Sequence, residues 1–235
     1  MTPPPISLTV DAVVFGYTVN KGLSVLLIQR KYAPFKGSWA LPGGFVLENE
    51  SLEDAVEREL EEETGVKINY LEQLYTFGRP NRDPRKRIVS VAYFALVRPD
   101  AFQLSAKTDA SDAQWFKITE LPTLAFDHPE ILEIAIQRLR AKVTYEPIGF
   151  ELLEEKFPFS HLEKLYETLL FHTQNIDDEI DRRNFKKKMK RLGILEELNE
   201  FRKASGAGRP ARLFRFIPEK YFELKERGDM FDVWV

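Results

Sequence analysis

The 235-residue chain contains no cysteine. Disulfides, thiolate zinc sites and a cysteine nucleophile are therefore excluded. Histidine is scarce: His161 and His172 show no metal spacing with other ligands and read as surface residues, while His128 reads as a ligand contact or, better, a structural residue at a helix start. No apolar run is long enough to span a bilayer. Met1-Thr2-Pro3-Pro4-Pro5 lacks the basic segment and apolar stretch of a signal peptide. Neither sign of charge dominates, the formal net charge being −3; this argues against a global affinity for nucleic acid, although an average hides local patches. There is no internal repeat and no low-complexity tract. These absences predict a cytoplasmic protein with no membrane partner. What is present is a chain that is 43% hydrophobic, enough for a real core, and long enough for one large domain or two small ones.

Apolar, β-branched runs predict strands over Ser7 to Tyr17 and Ser24 to Gln29, joined by a turn at Asn20-Lys21-Gly22. Further strands are expected around Ile68 to Phe77, Ile88 to Val97 and Gln114 to Phe116. Ser51 to Glu63 has helical character, with Ser51 and Asp54 spaced as a capping box and Gly65 just past the end. Pro129 to Lys142 is a second helix with apolar residues at Ile131, Leu132, Ala135, Ile136 and Leu139. Alternating strands and helices imply a layered α/β or α+β domain. Tyr145-Glu146-Pro147-Ile148-Gly149 reads as a linker, which gives domains of 1–147 and 148–235.

The segment Gly44 to Val66 carries the chemistry. Gly44 is followed after five residues by Glu50, and after seven more by Arg58-Glu59-Leu60-Glu61-Glu62-Glu63-Thr64-Gly65-Val66. On a helix, Glu59, Glu62 and Glu63 fall within an arc of about 100°. Like charges so placed cost roughly 0.2–0.5 kcal/mol per neighbouring pair even in water. A hard divalent cation with oxygen ligands removes that cost. Leu52 and Val56 share the stripe of Glu63, so the stripe faces the protein and not bulk solvent, and Gly43-Gly44 lets backbone approach a ligand closely. An ordinary solvated acidic face accounts for none of this.

Every fixed position of the Nudix box is filled, and the segment resembles that family. The resemblance implies an α/β/α sandwich with a mixed sheet and a Mg²⁺ site, Mn²⁺ being an alternative. It implies metal ligation by Glu59, Glu62, Glu63 and the Gly44 carbonyl, with Glu62 or Glu63 activating water. Arg58 would orient the acidic cluster, while Glu50 and Gly65 would be structural. The reaction implied is hydrolysis of a nucleoside diphosphate linked to another group.

Between two strands, Phe77 to Arg87 carries Arg79, Arg82, Arg85, Lys86 and Arg87 among turn formers. Arginine forks suit a diphosphate, and composition alone gives a solvated loop equal weight. Asp83-Pro84-Arg85-x-Arg87 before a Val/Ser-rich strand, with Leu124-Ala125-Phe126-Asp127-His128 before the last helix, resembles the ADP-ribose-type branch of the family. This implies substrate contacts from Arg79, Arg85 and Arg87. Lys86 departs from that branch, which often has Gly there.

Beyond the linker the character changes. Ser160 to Phe171 is helical, with Ser160 and Glu163 spaced as a capping box. Asp181 to Leu192 is a helix with a core stripe of Phe185, Met189 and Leu192 and with Gly193 as its C-cap. Its opposite face carries Arg183, Lys187, Lys190 and Arg191, with Lys186 beside them. A strand-like run to Arg202, a tight loop over 205–210 and a return strand from Arg212 to Ile217 complete the order of a winged helix-turn-helix. Residues 181–215 hold twelve Lys or Arg and four acids, a net charge of +8. Such a face is expected to bind phosphates, with the helix in a major groove and Arg209 on the wing, in preference to the other reading of a solvated basic helix in a small dimerisation domain. Gly206-x-Gly208-x-x-Ala211 imitates a dinucleotide fingerprint but lacks the strand before it and the helix after it.

Both halves together resemble the Nudix-related transcriptional regulators, typically homodimers that bind operator DNA and sense a nucleotide such as ADP-ribose. Many members have a degraded box, whereas this box is intact. Two other readings remain at this point. One is a housekeeping ADP-ribose pyrophosphatase whose C-terminal module only dimerises or positions substrate; the other is an RNA-directed hydrolase.

Overall fold

A computed structural model describes residues 5–68, 70–102, 104, 110–171, 180–203, 209–229 and 231–232. His172 and the loop residues 205–208, with the two glycines of the imitated fingerprint, lie outside the described residues. Internal packing divides the chain into two units, Met1–Gly16 with Leu23–Arg138 and Tyr17–Gly22 with Leu139–Val235.

In the first unit, β1 (Ser7–Thr18) and β6 (Ile88–Val97) pair in parallel from Ser7↔Ile88 to Gly16↔Val97. Both are buried along nearly their whole length, as expected of strands covered on two faces. β5 (Tyr70–Phe77) runs antiparallel to β6, and β2 (Gly22–Arg30) carries two antiparallel partners, β3 (Trp39–Ala40) and β7 (Ala110–Lys117). A short β4 (Gly43–Phe45) lies against β1 with Asp11 opposite Gly43. The sheet is mixed, with the path β3-β2-β1-β6-β5.

One face packs on α1 (Leu52–Thr64): Ala55, Val56 and Leu60 join Val10, Ala12, Val14, Tyr93 and Ala95 in one core. The residues pointing the other way, Val13, Phe15, Val25, Leu27, Phe94 and Leu96, are buried as well. α2 (His128–Tyr145) buries Ile131, Leu132 and Ala135. The helix α1 starts where the capping box ends the extended chain. Asp54 N–H donates to Ser51 Oγ (3.1 Å), Ser51 N–H donates back to the Asp54 carboxylate (3.3 Å), and Gly65 closes the helix at φ 74°. No helix among the described residues is long and apolar enough to cross a membrane.

In the second unit, α3 (Phe159–Leu170) and α4 (Arg182–Leu192) precede the antiparallel strands β9 (Leu195–Arg202) and β10 (Ala211–Phe216). The two-residue β8 (Phe157–Pro158) pairs with the far edge of β10, and α5 (Pro218–Glu226) follows. Leu162, Leu165, Tyr166, Leu169, Phe185, Met189, Leu213 and Phe214 are buried, and Phe150 stacks on Phe216 with ring centroids 4.3 Å apart. Pro147–Leu152, within the stretch read as a linker, forms a 3-10 turn whose Pro147, Ile148, Gly149 and Phe150 are buried.

Three expectations are corrected. Ser160 does not cap α3: Pro158, held in β8 at φ −66°, is the N-cap residue without a side-chain bond, and Ser160 lies inside the helix. Lys188 belongs to the buried side of α4 together with Phe185 and Met189, while Leu192 is only half-buried. His161 is half-buried, and burial lowers its pKa, with Arg202 adding to the effect.

Candidate functional site

A cavity of about 270 Å³ opens in the first unit between β1, the β3–β4 loop, α1 and the start of α2, and Glu59, Glu63 and Gly44 all line it. Glu63 is almost wholly buried and accepts the Gly43 N–H at 2.9 Å. Glu59 lies against Gly44 so closely that a Cβ at position 44 would stand 2.2 Å from Glu59 Oε1. A side chain at position 44 would therefore have to push the Glu59 carboxylate aside. Gly43, at φ 153°, is more strictly constrained, because a Cβ there would meet the backbone atom Val10 O at 2.2 Å.

Arg58 organises the rim. Its Nε and Nη2 donate to the two oxygens of Glu50 (2.9 and 2.7 Å), Nη1 donates to Glu59 Oε1 (2.8 Å), and Nη2 also reaches Phe45 O (3.0 Å). Glu50 further accepts the Leu47 N–H (2.7 Å). The Arg58 hydrogen bond, followed by that backbone bond, pulls the Glu50 pKa down to about 2. Arg58 is raised in turn, first by its bond to Glu50. Glu62 stands 3.6 Å from Arg58 Nη1, is half exposed, and is not on the cavity wall.

Among the described residues no three His, Asp or Glu side chains converge as a ready metal cage. Mg²⁺ does not require one, since it is commonly held by one or two carboxylates, waters and substrate phosphates. Glu59 and Glu63 supply two hard oxygen donors on the cavity wall, and the absence of a Cβ at Gly44 lets the Glu59 carboxylate lie directly against that backbone. The residues fit a small hard cation.

Of the loop arginines read as substrate contacts, Arg85 alone lines the cavity. It forks onto Asp83 through Nε and Nη2 (3.0 and 2.7 Å) and lies 5.8 Å from the Phe45 ring. Burial opposes ionisation of Asp83, but the side-chain and backbone bonds from Arg85 outweigh it and lower the pKa. Arg79 pairs with Glu130 (2.8 Å) and Arg87 donates to Arg79 O (3.2 Å), both off the cavity wall.

Sequence reasoning passed over Arg82. Its side chain is 5% exposed and grips Asp127 through two nitrogens (2.8 and 2.7 Å) and Asp11 through one (3.2 Å). Ser90 Oγ donates to the same Asp11 oxygen at 2.5 Å. A signal existed: Asp11 is a lone charge in the apolar run Thr9 to Tyr17. His128 is buried at the start of α2, where its Nδ1 accepts the Leu41 N–H at 2.8 Å. Burial lowers its pKa against the opposing pull of Asp11 and Asp127.

In the second unit α4 presents Arg183, Lys186, Lys187 and Arg191 to solvent, and these form no ion pair among the described residues. Asp181 caps the helix through the N–H groups of Arg183 and Asn184 (3.0 and 3.1 Å). Lys190 pairs with Glu197 (3.1 Å), which also takes Arg212 from β10 (2.9 Å), and Arg215 pairs with Glu196 (2.6 Å). Arg209 is exposed just before β10. Three of the four acids counted against this patch therefore sit on β9 and the fourth, Asp181, caps α4, so the exposed face of α4 stays cationic.

Comparison with known proteins agrees with this division. Residues 8–135 match the NUDIX domain, and residues 149–216 match the NrtR DNA-binding winged helix domain. The ADPR responsive transcriptional repressor NtrR of Acinetobacter baylyi is 35% identical over 224 residues, covering 93% of this chain and 85% of its own. An ADP-ribose pyrophosphatase of Methanocaldococcus jannaschii is 42% identical over 122 residues, 52% of this chain and 71% of its own. The crystal structure of Shewanella oneidensis NrtR complexed with a 27mer DNA superposes with a TM-score of 0.78 at 36% identity, covering 95% of this chain and 97% of that one. With its box, its cavity and its cationic helix in these places, the chain belongs to the Nudix-related transcriptional regulators, in which a NUDIX domain is joined to an NrtR-type winged helix.

Proposed function

We propose that this protein is an ADP-ribose-responsive transcription regulator that also hydrolyses its ligand. Its N-terminal domain, 1–147, binds ADP-ribose or a related nucleoside diphosphate sugar, and its C-terminal domain, 148–235, binds duplex operator DNA. The observation that carries the reading is the joining of Glu59, Glu63 and the Gly43–Gly44 backbone in one cavity within a chain that also exposes a cationic helix. The names of the relatives supply the ligand and the DNA.

Glu59, Glu63 and the Gly44 carbonyl would hold Mg²⁺, with Mn²⁺ as an alternative. Once bound, the ion would supply charge neutralisation at the diphosphate and acidify a water. The chain's own residues do the rest. Gly43 N–H fixes the Glu63 carboxylate, Arg58 fixes Glu59 and, through Glu50, the loop before α1, and Arg85 offers a guanidinium on the cavity wall. Water attack on the bridging phosphate would give AMP and a sugar phosphate, with no covalent protein intermediate. Arg183, Lys186, Lys187, Lys190, Arg191 and Arg209 would meet DNA phosphates. We place the protein in the cytoplasm, as its sequence predicts, and expect a homodimer, as the family resemblance implies.

The intact box favours one other reading, a pyrophosphatase that does not regulate. Binding to duplex DNA from upstream of its own gene and neighbours, with and without ADP-ribose at fixed salt, separates the two. Specific binding altered by ADP-ribose is expected. Affinity no greater than for random DNA in both conditions would leave only the hydrolase.

A further inference from the structure

We infer that His128 is a positioning residue: it sets the backbone from Leu41 to Gly44 and, through that backbone, the carboxylate of Glu63. The inference rests on the hydrolase reading of this cavity.

Leu41 is 2% exposed, and the hydrogen bond from its N–H is buried. A buried amide must find an acceptor. Here the acceptor is not a strand neighbour but the imidazole of a residue 87 positions away, at 2.8 Å. The next two residues are anchored in turn, since Pro42 O accepts the Ala12 N–H (2.9 Å) and Gly43 N–H reaches Glu63 Oε2 (2.9 Å). Gly43 and Gly44 have no side chains to hold them, and at Gly43 a Cβ would run into the Val10 backbone. The loop therefore depends on its backbone bonds, of which the His128 bond comes first.

An imidazole that accepts at Nδ1 carries its proton on Nε2. Nε2 faces Asp11 Oδ1 at 3.6 Å, and Asp11 is itself held by Ser90 and by Arg82, which also clamps Asp127. The ring is thus fixed by its own place at the head of α2 and by the ionic cluster behind it. A support built this way places a catalytic carboxylate more precisely than a free loop could.

Three substitutions separate the two ring nitrogens. His128→Asn keeps an acceptor where Nδ1 stands, His128→Gln reaches instead toward Nε2, and His128→Leu offers neither. Two readouts apply: hydrogen-exchange protection of the Leu41 amide without nucleotide or metal, and kcat and KM for ADP-ribose with Mg²⁺. The Leu and Gln variants are expected to lose Leu41 protection and roughly 10–100-fold in kcat with little change in KM, and the Asn variant to restore both. Unchanged protection and turnover in His128→Leu, or rescue by Gln but not by Asn, would overturn the inference while leaving the hydrolase reading intact. Absence of wild-type turnover would remove the hydrolase reading instead, and Leu41 protection across the three variants would then decide the positioning role alone.

Discussion

Arg58 grips Glu50 with two nitrogens, Nε to Oε2 at 2.9 Å and Nη2 to Oε1 at 2.7 Å, eight residues apart across the start of α1. The same guanidinium also serves Glu59, so the loop before the helix and the acid on it share one cation. Glu50 has its pKa lowered to about 2 from an ordinary 4.5. A depressed carboxyl stabilises the fold above its unfolded pKa, and that contribution is lost as pH falls through the folded value. The difference in melting temperature between wild type and Glu50→Gln should therefore be full above pH 4.5 and narrow as the pH is lowered toward about 2. Thermal denaturation at stepped pH checks this; a constant difference would show that Glu50 acts through packing.

Glu63 and Glu62 are neighbours in sequence but not in environment, one buried on the cavity wall and the other half exposed beside Arg58. Glu63→Gln should abolish Mg²⁺-dependent ADP-ribose hydrolysis without unfolding the protein. Glu62→Gln should leave measurable turnover. Equal losses in a steady-state assay would place Glu62 at the reaction after all.

Arg82 stands between two carboxylates that are themselves mostly buried. Burial disfavours its charge, but the bonds to Asp127 and Asp11 more than compensate and raise its pKa. Removing one partner of such a cluster leaves uncompensated buried charge, which typically costs about 3–5 kcal/mol. Arg82→Gln is expected to lose about that much in urea denaturation, far more than Arg79→Gln, whose exposed pair with Glu130 falls in the range of about 0–1 kcal/mol.

On α4 the basic residues divide by burial. Arg183→Ala with Lys187→Ala should weaken duplex binding and reduce the salt slope by about 1 for each phosphate no longer engaged. Lys188→Met should leave that slope unchanged. Burial lowers the Lys188 pKa from 10.5, and Nζ has no hydrogen-bond partner among the described residues, the nearest counter-charge there being Asp232 at 3.8 Å. The unfolded chain therefore holds this proton more tightly than the folded one, so wild-type stability gains from rising pH as 10.5 is approached from below. The Met variant should lack that gain when the two are titrated side by side.

The helix α1 could be read to within a residue at each end because its stop signals are local: a serine and an aspartate three apart, and a glycine after the last turn. The long strands were legible from their apolar runs for the same reason. β3, β4 and β8 were not, because two or three residues carry no period and exist only through partners elsewhere in the chain. The acidic half of the cavity was visible in the spacing of Glu59 and Glu63. Its other wall was not. Nothing in a loop of four arginines tells which guanidinium turns inward, and Arg82 is singled out only by Asp11 and Asp127, 71 and 45 positions away. Lys188 was hidden in the same way inside a run of cations, where its place on the inner side of the helix depends on the core beneath it.

Glu197 holds Lys190 of α4 and Arg212 of β10 on its two oxygens. A phosphate that engages either cation must displace a carboxylate already in place. The carboxylate left behind then recruits a cation from solution, so net ion release is smaller than the number of phosphates touched. Counted by its salt dependence, this surface will look narrower than it is.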